Sequence, residues 1–182
     1  GRVMLTGPAG AGKEIAARYI HANSNRASAP FVTVNSASIE PERMEEVLFG
    51  REDSGRGVEP GLLEEANGGV VYFDEIADMP LGTQSKILRV LVEQRFQGVG
   101  GGEKVQVDLR VISSTNRDLP AAIDAGTFRE ELYHRLNVVP IAVPSLEERR
   151  EDIPVLAEHF IAACNKVQGL PLRKLAEDAR AL

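Results

Sequence analysis

In residues 2–21, RVMLTGPAGAGKEIAARYIH, a short apolar run gives way to a glycine-rich turn carrying a lysine, and the turn opens a helical repeat. Gly7, Gly12 and Lys13 meet the spacing G-x-x-x-x-G-K-[ST], while Glu14 stands where a hydroxyl residue would hold magnesium. Glycines let successive backbone N–H groups turn inward, and the N-terminus of the following helix adds a partial positive charge. Lys13 supplies a point charge for terminal phosphates. The expected phosphate-binding segment is Gly7, Pro8, Ala9, Gly10, Ala11, Gly12, Lys13, Glu14 and Ile15. A turn that binds nothing is the weaker reading, given the spacing and the lysine.

Strand-like runs recur at residues 2–6, 31–35, 69–75, 105–115 and 137–143. Helical patterns lie between them at 13–22, 42–49, 81–93 and 128–136. Alternation of this kind predicts an α/β fold with a parallel sheet covered on both faces. GVGGGEK, residues 98–104, reads as a hairpin loop. After Pro144 the pattern is helical only, in EDIPVLAEHFIAACNKV and LRKLAEDARAL, which places a boundary between residues 144 and 151. The expected units are residues 1–146 and 147–182. The chain opens inside a strand and closes inside a helical pattern, so it reads as a piece of a longer protein.

The run VVYFDEI supplies a second element of nucleotide chemistry, an apolar strand ending in Asp74 and Glu75. An aspartate at a strand's C-terminal edge can support Mg²⁺, and the adjacent glutamate can orient or deprotonate water attacking a γ-phosphate. A solvated turn is the plain alternative for such a pair. The phosphate loop earlier in the chain weighs against it. The net charge of −6 makes the chain a poor candidate for wrapping nucleic acid by charge alone. One cysteine, Cys164, permits no internal disulfide and suits the cytosol. No signal peptide or run of membrane-spanning length is present, so a cytoplasmic protein without a membrane partner is expected. The three histidines, His21, His134 and His159, lack ligand spacing and read as solvated helix positions.

Taken in order, GPAGAGKE, VNSAS, LFGRE, GLLEEANGGVVYFDEIADMPLGTQSKILRVLVEQRFQGVGG, VDLRVISSTNRDL and FREELYHRLNVVPIAVPSLEERREDIP cover nearly the whole chain. Together they resemble the AAA+ ATPase domain of bacterial enhancer-binding proteins, the NtrC-like activators of sigma-54 RNA polymerase. The resemblance implies a three-layer α/β/α phosphate-loop fold with a five-stranded parallel sheet, followed by the start of an α-helical lid. It implies ATP or ADP and Mg²⁺ as ligands. Glu is the family's usual residue after the loop lysine, so Glu14 and Asp74 are implied near the metal, in keeping with a cation that retains its waters.

The same resemblance implies roles for further residues. Asn35 matches the asparagine that pairs with the catalytic glutamate, here Glu75, although an amide capping the loop after a strand is also open. Thr115 and Asn116 match the sensor beside the γ-phosphate; Asn116 could equally cap the following helix. Arg129 and Arg135 match the pair of arginine fingers that reach into a neighbouring subunit, and surface arginines remain the alternative. Six residues on a helix is roughly 600° of rotation, so their side chains should point about 120° apart and do different work. Trans-acting fingers imply a homo-oligomeric ring, a hexamer when active. The family further implies RNA polymerase with its sigma factor as partner, DNA bound through a C-terminal helix-turn-helix domain, and a histidine kinase acting on a receiver domain.

One stretch departs from the family. After LFGRE, the activators carry a surface loop with the signature GAFTGA that contacts sigma-54, whereas DSGRGVEPG, residues 53–61, is shorter and has no aromatic residue. Without an apolar anchor it predicts a mobile, solvated connection. In lacking GAFTGA the chain is similar to the NtrX regulators of nitrogen and redox responses. The expected function is an ATP-binding and ATP-hydrolysing domain of a two-component transcription regulator that works by nucleotide-dependent assembly, without the usual sigma-54 contact. The alternative is a nucleotide-binding oligomerisation module with little or no turnover.

Overall fold

The computed structural model describes residues 1–53, 57–169, 171 and 173–180. Five strands build the main sheet: β1 (Val3–Thr6), β2 (Phe31–Asn35), β5 (Val70–Asp74), β8 (Arg110–Thr115) and β9 (Val139–Ala142). Their order is β2-β5-β8-β1-β9 and every pairing is parallel. Pro140 sits in β9, where an edge strand tolerates the missing donor.

Alternate residues of the inner strands point to opposite faces and are buried in two separate clusters. Met4, Val71, Phe73 and Val111 join one cluster with residues of α2 (Met44–Phe49), α3 (Leu62–Glu65), α4 (Leu81–Glu93) and α6 (Glu130–Leu136). Val3, Leu5, Val70, Tyr72 and Ile112 join the other with Ala17 of α1 (Lys13–Ala22). The sheet is therefore the middle of three layers. β5, buried from Val70 to Phe73, runs through its interior as a continuous apolar strand.

The structure departs from the sequence pattern at several points. The predicted strand over 105–115 is two: β7 (Val105–Gln106) pairs antiparallel with β6 (Arg95–Phe96), and β8 begins at Arg110. The break falls at Asp108, whose N–H donates to Asn67 Oδ1 at 2.8 Å and whose two carboxylate oxygens each accept from Arg26 Nη2 at 2.8 Å. In place of a loose connection over 53–61, β3 (Arg51–Asp53) and β4 (Gly57–Glu59) pair antiparallel as a hairpin; Ser54, Gly55 and Arg56 lie outside the described residues. The Gly98–Lys104 loop closes β6 and β7 and is itself tied to β3, with Glu52 N–H donating to Val99 O at 2.9 Å and Val99 N–H to Gly50 O at 2.8 Å. Gly100 adopts φ +97°, and a Cβ there would lie 2.6 Å from the Glu52 carbonyl oxygen, so the close approach needs glycine. Helix α6 starts at Glu130, two residues later than the sequence pattern predicts. Helix α5 (Leu119–Asp124) lies beyond the helical patterns read from the sequence, and its cap is Asp118, whose Oδ1 accepts from Ala121 N–H at 3.0 Å, not Asn116. His21 is partly buried rather than solvated, with Nε2 3.0 Å from Ala29 O and its ring against Phe31.

The chain divides into compact units at Val143–Pro144. The second unit holds α7 (Asp152–Gln168), which carries the exposed Cys164, and α8 (Glu177–Arg180). The helix expected over 172–182 is confined to α8 among the described residues; 172, 181 and 182 lie outside them. No helix among the described residues is long and apolar enough to cross a membrane.

Candidate functional site

The strand order sets the site. β8 lies between β1 and β5, so the loops leaving the C-terminal ends of β1, β8 and β5 open on one edge, and β2 ends beside β5. Ligands of open parallel sheets bind at such an edge. Residues from four separated stretches of sequence are thereby brought together.

The glycine loop follows β1 and is held to its neighbour by Gly7 N–H donating to Thr115 O at 3.4 Å. Gly12 is the N-cap of α1 at φ +88°, a left-handed conformation that favours glycine, and it has no side chain with which to cap. The first intrahelical bond is Ala16 N–H to Gly12 O, at 3.0 Å. The amides of Lys13, Glu14 and Ile15 precede that bond and, with the helix dipole behind them, suit an anion. Pro8, Ala9 and Gly10 are exposed in the loop, and the Pro8 carbonyl accepts from Ala11 N–H at 3.2 Å.

Lys13 is buried at 6% exposure, and its Nζ donates to the carbonyls of Gly7 at 2.9 Å and Pro8 at 3.0 Å. It also lies 3.6 Å from Glu75 Oε1. The other oxygen of Glu75 accepts from Asn116 N–H at 3.2 Å. Glu75 itself is at φ 51° and ψ 57°, a left-handed conformation that costs a non-glycine residue on the order of 1–3 kcal/mol. The strained turn aims the carboxylate back across the sheet edge, toward the loop lysine.

Asp74, the preceding residue, ends β5 beside Asn35 of β2. Its Oδ1 accepts from Ser114 Oγ at 2.7 Å and from the Tyr72 hydroxyl at 3.1 Å. Burial pushes the Tyr72 phenol well above the ordinary tyrosine range; the Asp74 charge adds to this and the Ser114 bond opposes it. Neither Tyr72 nor Ser114 stands out in the sequence, where both pass as core positions. The available signal is spacing, since Tyr72 stands two residues before Asp74 and so shares its sheet face.

The remaining expected residues are distributed as follows. Asn35 is exposed and its Oδ1 accepts from Ala37 N–H at 3.1 Å, the local capping arrangement, with no bond to Glu75 among the described residues. Thr115 is fully buried and its Oγ1 accepts from Arg117 N–H at 3.1 Å. Glu14 faces Arg18 at 2.7 Å, one turn along α1, rather than Asp74. Arg129 is the N-cap of α6, not a helical residue, so the 120° relation to Arg135 does not apply. The buried Gln84 fixes that cap: its Oε1 accepts from Arg129 N–H at 2.9 Å, while Nε2 donates to Met79 O and Thr127 O. Arg129 Nε donates to Leu81 O at 3.2 Å, and Arg135 is exposed in the last turn of α6.

The model of the Sigma-54 interaction domain family matches residues 1–142. The chain belongs to this family. As a sigma-54 interaction domain it is 57% identical over 182 residues to the nitrogen assimilation regulatory protein NtrX of Azorhizobium caulinodans, covering 100% of this chain and 40% of that protein. The crystal structure of Brucella abortus NtrX in complex with ADP matches with TM-score 0.90 and 56% identity, over 99% of this chain and 40% of that one. The same protein in complex with ATP matches with TM-score 0.88 and 58% identity, over 99% of this chain and 41% of that one. This sigma-54 interaction domain thus spans about 40% of the length of these relatives.

Proposed function

We propose that this domain binds adenine nucleotide and hydrolyses ATP as part of a cytoplasmic two-component transcription regulator, in which nucleotide-dependent ring assembly controls transcription. The observation that carries the reading is the approach of Lys13 to Glu75, 3.6 Å apart at the edge where the uncapped start of α1 also opens. The solved Brucella NtrX complexes with ADP and with ATP support it by likeness.

The residues present fit such a ligand. The amides around Gly10 to Ile15 and the Lys13 ammonium would take the phosphates, with Thr115 and Asn116 at the adjacent strand end. Mg²⁺, when bound, supplies neutralisation of developing phosphate charge. Asp74 would support it, in keeping with a cation that retains most of its waters. Glu14, paired with Arg18, would act only from further out. Glu75 would accept the proton of the attacking water, its carboxylate steered by Asn116 N–H and Lys13. Asn35 would regulate Glu75 only after leaving its bond to Ala37. Arg129 and Arg135, exposed at opposite ends of α6, would act on a neighbouring copy's site.

The stretch 53–61, short and without an aromatic residue, favours control of transcription without the GAFTGA contact to sigma-54. Promoter DNA and a histidine kinase would be met by other parts of the whole protein, and RNA polymerase with its sigma factor would be the end target. A second reading, a nucleotide-dependent assembly module with little turnover, holds if both Glu75 oxygens, one 3.6 Å from Lys13 Nζ and the other bonded to Asn116 N–H, stay occupied when nucleotide is bound. ATP turnover per mole, measured across protein concentrations, separates the two. Fingers acting in trans require the specific rate to rise with assembly; tight nucleotide binding with negligible turnover at every concentration supports the second reading.

A further inference from the structure

Beneath the strand edge lies a chain of buried hydroxyls that nucleotide binding and hydrolysis, as described above, do not require. Tyr72 and Ser114 are both 0% exposed. The Tyr72 hydroxyl is 2.9 Å from Ser114 Oγ, and Ser114 Oγ is 2.7 Å from Asp74 Oδ1. Tyr72 also reaches Asp74 Oδ1 directly, at 3.1 Å. Each hydroxyl carries one proton. The short contact assigns the Ser114 proton to the carboxylate, and the Tyr72 proton is shared between Ser114 Oγ and the same Oδ1. Among the described residues, both side-chain bonds to Asp74 converge on Oδ1.

The fold makes this convergence possible. Tyr72 and Asp74 share the sheet face covered by α1, because side chains alternate along β5. The parallel register Phe73↔Ser113 brings Ser114 alongside Asp74. The Tyr72 ring is stacked on Phe31, with centroids 5.9 Å apart, which fixes the phenol. Phenylalanine and alanine would fill these places without burying a polar group, and burying a hydroxyl costs free energy that bonding offsets. The bonds go to one carboxylate oxygen, so the network serves that carboxylate. It has a task to perform, because the terminal torsion of an aspartate is broad and roughly two-fold unless held.

We propose that Tyr72 and Ser114 are positioning residues for Asp74, tying Oδ1 so that Oδ2 is the oxygen presented to the hydrated magnesium of a bound nucleotide. This rests on the nucleotide reading above and adds the device that orients its metal-supporting aspartate. Outer partners that orient a metal-supporting group commonly carry a tenfold or larger share of metal affinity. Ser114 makes the shorter bond to Asp74 Oδ1 and Tyr72 a longer, shared one to the same oxygen, so removing Ser114 should cost more than removing Tyr72, and removing both should cost most.

The test uses Mn²⁺ as the probe, titrated into the ADP complex of wild type, Tyr72→Phe, Ser114→Ala and the double variant and followed by electron paramagnetic resonance. ADP affinity without metal is measured in parallel. The expected result is a Mn²⁺ Kd raised about tenfold in Ser114→Ala, less in Tyr72→Phe, and most in the double variant, with recovery in Ser114→Thr. Metal-free ADP affinity should stay within about twofold throughout, which also reports that the variants fold. Unchanged Mn²⁺ affinity in Ser114→Ala would overturn the proposal, as would a parallel loss of metal-free ADP binding, which marks a merely structural role. Wild-type protein that binds no ADP would instead remove the nucleotide reading itself.

Discussion

The sheet edge and the paired hairpins are both made of glycine-rich loops, yet they are held in different ways. At the edge, Lys13, Asp74 and Glu75 are fixed by side-chain bonds and by a strained turn on a parallel sheet, so the chemistry depends on residue identity. Between β3 and the Gly98–Lys104 loop, the connection runs through backbone groups of Gly50, Glu52 and Val99. There residue identity matters only where a side chain would not fit, as at Gly100. The first region should be open to disabling without disturbing the fold, and the second to loosening without a change in nucleotide affinity.

Replacing Lys13 with alanine gives the largest expected effect. It removes a buried cation that would meet phosphate through charge-assisted bonds worth about 1.5–3 kcal/mol each. Calorimetric titration should show nucleotide affinity lower by about 100-fold or more, with the unfolding midpoint near that of wild type. An unchanged affinity would erase the contrast between the two regions. A smaller effect of the opposite kind is expected for Gly100→Ala. The added Cβ meets the Glu52 carbonyl and the residue must hold a positive φ, at a cost of about 1–3 kcal/mol. Denaturant unfolding should show that loss, hydrogen exchange should rise at Glu52 and Val99, and nucleotide affinity should stay within about twofold.

The two regions also differ in how far the sequence reveals them. The edge is legible because motif spacing and strand ends carry its chemistry: the glycine loop, the start of α1 and the Asp74–Glu75 pair all lie where the pattern places them. What escapes is long-range. The break at Asp108 depends on Arg26 and Asn67, which lie 82 and 41 residues away. The late start of α6 depends on Gln84, 45 residues before Arg129. Local periodicity contains none of this. Residues 53–61 read as a solvated loop because their charge and glycine content say so, while pairing between β3 and β4 uses backbone groups that every residue has. Tyr72 and Ser114 are hidden for another reason, since hydroxyls inside apolar strands look like core until their partner is seen.

In the proposed function Glu75 performs the chemistry at an edge whose binding is carried by other residues. Glu75→Gln tests it directly, with ATP affinity and steady-state turnover measured on the same preparation. An amide keeps the shape of the side chain but cannot accept the water's proton, so affinity should remain within about threefold while turnover falls by about 100-fold or more. Binding and turnover falling together, or turnover left unchanged, would contradict the account.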